Sequence, residues 1–224
     1  MGVLAVRLKS LGYRAVHLPT FGYHLRPLDA HGAILRDRLR ALGDVAIDVV
    51  TFSYGGVFLR AALDAPDAPV VRRVVMLSPP SHGALMAEQV RNAVPLHRLG
   101  WDPLAPLLPG DASRYALPTA EIGVLTGGTG SDVGYNRYLP GDNDGKVRVA
   151  EARMDGIAAF KLIPQRHFQM PYSDLAYQET RAFLQTGRFL PADSRAAPED
   201  EPDSRPGVAL PPPRSSADEP AQRR

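Results

Sequence analysis

The sequence predicts an α/β fold, a mostly parallel sheet flanked by helices, and three observations predict it. Short apolar runs alternate with amphipathic stretches over residues 1–189, as expected of strands covered by helices on both faces. One run, IDVVTFSYGG at Ile47 to Gly56, ends in a turn of small residues that opens straight into a helix pattern. The alternation is regular enough to close a parallel sheet through right-handed crossovers.

In chain order, Val3 to Leu11 reads as a helix ended by Gly12, and Arg14 to Leu18 as a short strand. Leu28 to Leu42 reads as a helix, with Ile34, Leu35, Leu39 and Leu42 at helical spacing and Gly43 as its stop. Strand Val45 to Val50, the turn at Ser53, helix Gly55 to Leu63 and strand Val71 to Leu77 follow. Ala84 to Leu117 mixes helix with Pro-rich loop. Its apolar residues, among them Leu85, Leu96, Leu99, Trp101 and Leu107, fit either core packing or a lid over Ser53. Ile122 to Leu125 and Phe160 to Ile163 read as further strands, KVRVAEAR from Lys146 as another, and Ser173 to Gln185 as the closing helix. From Pro191 the chain is rich in Pro, Ala, Ser and mixed charge without aromatics, so residues 1–189 are expected to form one domain and 190–224 a disordered tail. The triple proline Pro211 to Pro213 fits a polyproline ligand or plain solvated tail, and composition favours the tail.

Composition excludes several function classes. With 224 residues, 44% of them apolar and 22% charged, the chain is of ordinary globular make-up. The 26 Lys and Arg against 24 Asp and Glu leave a formal charge of +2, which gives no broad basic footprint for nucleic acid. The absence of cysteine excludes disulfides, thiolate chemistry and Cys-based zinc sites. No run of eighteen or more apolar residues is present, so no transmembrane segment is expected. The start MGVLAVRLKS does not fit a signal peptide, and Val6 stands where a myristoylation site needs Ser or Thr. The compartment stays open, with the cytoplasm favoured. GGTG at Gly127 to Gly130 lacks the Lys and following helix of a phosphate loop and reads as a flexible connection.

The turn at Ser53 carries the chemistry. A buried strand delivers the chain, Ser53 sits on a strained turn with its hydroxyl exposed, and Gly55 and Gly56 let the following helix approach closely, as in a nucleophile elbow. Thr51 stands where the motif usually has its first glycine, and the competing account is a serine that caps the helix. A hydroxyl is a poor nucleophile at neutral pH and needs a base, itself fixed by a carboxylate. Ligands in such sheets bind beyond the carboxyl ends of the strands. His167, four residues past an apolar strand in PQRHFQMPY, is better placed for this than His17, His24, His31 or His97. The acid is sought in LPGDNDGKV, where Asp144 is the first choice and Asp142 a close second. Asp142, Asp144, Gly145 and Glu151 also fall at EF-hand positions, but Pro140 occupies the first ligand position and Arg148 the ninth, which disfavours calcium.

The order Ser53, Asp144, His167 resembles that of the α/β-hydrolase superfamily, and more closely its bacterial lipase or esterase-like members, over roughly residues 1–189. VTFSYGGVFLRA is similar to the elbow strand and helix, VVMLSPPSHGA to the loop after the next strand, and GDNDGKVRVAEARMDG with LIPQRHFQM to the acid and histidine loops. The resemblance implies Ser53 as nucleophile, His167 as general base then acid, Asp144 as orienting carboxylate, and the Tyr54 N–H as an oxyanion donor. It implies a small-molecule or lipid ester as substrate and no metal or organic cofactor. The His-Gly loop that usually gives the second oxyanion donor is missing, since His82-Gly83 lies after the elbow. An N-terminally truncated hydrolase is therefore expected, lacking the strand between Arg14 to Leu18 and the elbow strand. The loss of one donor is expected to lower turnover by about 10²- to 10³-fold. The alternative is a catalytically impaired or inactive hydrolase-like protein acting as a binding module.

Overall fold

The computed structural model describes residues 1–18, 27–43, 45–100 and 102–191. The expected tail with Pro211 to Pro213, and His24 and Trp101, lie outside the described residues.

Four strands form one parallel sheet in the order β1-β2-β3-β4: β1 (Ile47–Phe52), β2 (Val71–Leu77), β3 (Glu121–Gly127) and β4 (Ala159–Ile163). Two helices precede the strands, α1 (Gly2–Ser10) and α2 (Leu28–Arg40), three lie between them, α3 (Gly55–Leu63), α4 (Leu85–Ala93) and α5 (Val149–Ala152), and α6 (Asp174–Thr186) follows. The pleat of β2 explains why its run VRRVVML ends without polar alternation. Val74 and Met76 enter one core with Leu39 of α2 and Leu59 of α3, while Val75 and Leu77 enter a second with Leu4 and Leu8 of α1 and Phe183 and Leu184 of α6. Both faces are thus covered, and all four of these β2 side chains are fully buried. Gly123 of β3 is required by this packing, because a Cβ there would lie 2.7 Å from the Phe183 ring. α3 is apolar nearly all round, and every residue from Gly56 to Ala62 is buried.

Several expectations need correction. Arg14 to Leu18 forms no strand: the Ala15 N–H bonds back to Tyr13 O, Val16 is exposed, and among the described residues nothing pairs with the outer edge of β1. A strand exists only through a neighbour's ladder, which this segment does not have. The elbow strand runs two residues later than Val45 to Val50, because the Val45 N–H closes a tight turn onto Gly43 O and leaves Val45 exposed. KVRVAEAR is not a strand. The Asn143–Arg148 bridge ends its extended part, and Glu151 turns back to accept the Arg148 N–H at 2.8 Å, starting α5. The same buried carboxylate accepts the Leu85 N–H at 2.8 Å and so caps α4 as well. In the Ala84 to Leu117 region α4 is followed by two short 3₁₀ turns, and Leu85, Leu96 and Leu107 are half-buried while Leu99 is exposed, so they do not form the core.

Leu190 is tied to the last helix and to β4. Leu190 donates its N–H to Glu179 at 2.9 Å and its carbonyl accepts from Lys161 at 2.5 Å, with the Lys161–Glu179 ion pair between them.

Candidate functional site

Ser53 follows β1 and sits at φ 52°, one of two non-glycine residues with positive φ among those described, the other being Ser78 after β2. The strain is held from both sides. The Ser53 N–H donates to Leu77 O at 2.7 Å, and the Ser53 carbonyl accepts from Gly56 at 3.0 Å to open α3. Gly56 is the tighter of the two glycines, since a Cβ there would lie 3.0 Å from Pro79 Cβ and push it by a few tenths of an ångström, whereas Gly55 has room for one.

Asp144 and His167 arrive on the loops after β3 and β4, at the same carboxyl end of the sheet. His167 Nε2 lies 2.9 Å from Ser53 Oγ, and His167 Nδ1 lies 2.7 Å from Asp144 Oδ2. A carboxylate only accepts, so Nδ1 carries the proton and the Nε2 lone pair faces the serine hydroxyl. The second carboxylate oxygen is fixed by the Lys146 and Val147 N–H groups at 2.9 and 2.8 Å, and the His167 N–H donates to the Asp144 carbonyl at 2.8 Å. Asp144 and His167 are 1% and 5% exposed, which keeps their bond out of competing water. Phe52 and Phe168 flank the imidazole with ring centroids at 4.9 and 5.5 Å.

Asp142 is turned elsewhere. One oxygen accepts the Thr129 N–H at 2.8 Å and the other the Gly130 N–H at 2.9 Å, so the GGTG turn is clasped rather than a flexible connection. Between them Asn143 is fully buried: its amide donates to Asn136, Leu139 and Gly141 carbonyls, and its oxygen accepts from Asn136 and Gly145. The EF-hand candidates therefore face three separate partners, since Glu151 is spent on the two helix starts.

The other described histidines have surroundings of their own. His31 is buried edge-on against Phe58, His17 is exposed, and His82 bonds the Arg153 carbonyl at 2.8 Å. Tyr54 begins α3 with its ring 4.2 Å from Phe58, and burial pushes its phenol well above the usual range, so it stays protonated. Among the described residues the Tyr54 N–H has no intramolecular acceptor. Arg60, buried in α3, donates to the carbonyls of Ser81, Ser113 and Tyr115, and so ties the loop after β2 and the segment before β3 to the serine-bearing helix. Nothing in the sequence flags that role. Phe168 does carry a signal, as an aromatic next to the chosen histidine.

Gly127 closes β3 where the acid and histidine loops meet. A Cβ there would stand 2.2 Å from Gln165 O and 2.9 Å from Asp144 Cβ. Gly127→Ala is therefore expected to destabilise the protein by about 2–3 kcal/mol through overpacking against backbone. Chemical denaturation followed by circular dichroism checks this; an unchanged midpoint would show that the two loops part freely.

A parallel sheet covered on both faces, with a strained serine turn between its first strand and the next helix, is a fold of the α/β-hydrolase type. No family model and no curated protein sequence matches the chain. Solved structures do. The lipase BlEst2 of Bacillus licheniformis in its mature form is similar with a TM-score of 0.56 and 20% identity over 73% of this chain and 76% of that one. Its propeptide form gives 0.58 and 21% over 74% and 42%, and phospholipase PlaB from Legionella pneumophila 0.52 and 17% over 74% and 49%. The chain thus spans less than half the length of the latter two.

Proposed function

We propose that the protein is a serine hydrolase that cleaves carboxylic esters through an acyl-serine intermediate. The observation that carries this is the continuous hydrogen-bonded line from Ser53 Oγ through both imidazole nitrogens to Asp144. Ser53 Oγ attacks the ester carbonyl as His167 Nε2 takes its proton. The imidazolium is compensated by Asp144, and the tetrahedral oxyanion is met by the Tyr54 N–H, the one donor assigned to it here. Collapse of the intermediate expels the alcohol, which receives the proton from Nε2. Water then repeats the sequence on the acyl-serine and releases the acid. The buried, hydrogen-bonded Asp144 holds the ring in the tautomer that each proton transfer needs.

The names of the similar structures, a lipase and a phospholipase, support an ester rather than another acyl compound as substrate. Within Ala84 to Leu117, Ala112, Tyr115 and Leu117 join the core, whereas the half-buried Leu85, Leu96 and Leu107 and the exposed Leu99 suit the wall of an acyl-binding cleft. Among the described residues no helix is long and apolar enough to cross a membrane.

The test is labelling of the full chain by a fluorophosphonate probe beside Ser53→Ala. Labelling that disappears only in Ser53→Ala is the expected result. Equal labelling of both, or none of either, would remove the hydrolase reading.

A further inference from the structure

We propose that the outer rim formed by the acid and histidine loops docks on an anionic lipid surface. The two loops, residues 128–148 and 164–172, carry aromatic side chains that the fold does not cover: Phe168 is 66% exposed and Tyr138 72%. Single exposed aromatics are ordinary on a protein surface, and what sets this rim apart is the cations beside them. Three of the four aromatics on this rim, all but Tyr172, are matched to a cation. Lys146 Nζ stands 5.4 Å from the Phe168 ring centroid, the Arg166 guanidinium 4.5 Å from that of Tyr135, and the Arg137 guanidinium 5.1 Å from that of Tyr138.

The charge that the rim turns outward is positive. Asp144 is buried on His167, and Asp142 has both oxygens engaged by Thr129 and Gly130. Asp132 and the half-buried Asp142 are then the carboxylates of these loops that oppose Arg137, Lys146 and Arg166, which leaves a small positive excess. Single aromatics at loop tips, most of them beside a cation, fit a lipid interface, where rings settle at headgroup depth and cations meet phosphates. A protein partner would call for a contiguous apolar centre with charges confined to its edge. Here cation and ring are interleaved.

The placement has a consequence for catalysis. Phe168 packs edge-on against His167, whose ring reaches Ser53, so docking through this rim turns the mouth of the site toward the bilayer. That consequence rests on the ester-hydrolase reading, whereas the docking itself does not.

The experiment is co-sedimentation of the full chain, as Ser53→Ala so that the lipid stays intact, with vesicles of phosphatidylcholine alone or with about one-third phosphatidylserine. The expected result is partitioning onto the anionic vesicles only, weakened by salt. Arg137→Gln with Arg166→Gln should lower it by about 25-fold, taking roughly fivefold for each cation at the surface. The same pair of substitutions with Ser53 intact should leave turnover of a soluble short-chain ester within about twofold, because neither side chain meets a reacting atom. Equal binding to neutral vesicles, no binding, or binding indifferent to the two substitutions overturns the proposal. So does concentration-dependent self-association that these substitutions abolish, which would make the rim a protein interface. Vesicle binding that persists in a protein inactive on every soluble ester would uphold the docking and sink the hydrolase reading.

Discussion

Ser53→Ala and His167→Ala are each expected to lower kcat on a soluble short-chain ester by about 10⁴-fold or more, and the double variant by no more than the worse single. The reason lies in the 2.9 Å contact between Nε2 and Oγ. Without the imidazole the hydroxyl keeps its proton during attack, and without the hydroxyl the imidazole has no nucleophile to activate, so either loss removes the same step. A factor of 10⁴ corresponds to about 5.5 kcal/mol of transition-state stabilisation, beyond what one neutral hydrogen bond supplies. Both residues work with a turn whose strain is borne by the backbone bonds of Ser53, donated to the Leu77 carbonyl and accepted from the Gly56 N–H, so the fold is expected to survive either change. Steady-state kinetics of the two singles and the double, beside thermal melts, decide the matter. Losses that multiply in the double variant would mean that the two side chains act independently and that the acyl-serine route is wrong.

Most of the candidate site's geometry was legible because its parts are local. The elbow is a strand, a turn and a helix within ten residues, and its serine needs no distant chain to be recognised. The histidine could be chosen because a residue just past a strand end is already at the ligand-binding edge of a parallel sheet. The choice between Asp142 and Asp144 was not local. Both follow the same turn, and only the third dimension shows Asp142 facing Thr129 and Gly130 while Asp144 faces His167. The missed elements have the same origin. Arg14 to Leu18 has strand composition but no ladder beside it, and KVRVAEAR is broken by a Glu151 carboxylate whose second duty, capping α4, comes from 66 residues away in the chain. GGTG at Gly127 reads as a flexible connection in the sequence, and the packing need for Gly127 is hidden there because its reason is a backbone 2.2 Å from where a Cβ would be. Periodicity reads which face of an element is buried, not which neighbour it meets.

Asp144→Asn should lower kcat by about 10³- to 10⁴-fold, while Asp142→Asn stays within about tenfold, and the difference follows from which donors each carboxylate serves. Asp144 Oδ1 is held by two backbone N–H groups, from Lys146 and Val147, that an amide nitrogen would repel. An asparagine at 144 therefore keeps its oxygen on those donors and presents its NH₂ to His167 Nδ1. Nδ1 must then accept, the ring proton moves to Nε2, and the base that should take the Ser53 proton already carries one. The geometry survives while the tautomer is wrong. At 142 the substitution weakens the clasp on Thr129 and Gly130, which costs about 1–2 kcal/mol of stability but leaves the Asp144 bonds in place. Kinetics and melting curves of the two variants separate these effects, since one should lose turnover with little change in melting and the other the reverse. Equal losses of turnover, or the larger one at Asp142, would move the orienting carboxylate from Asp144 to Asp142.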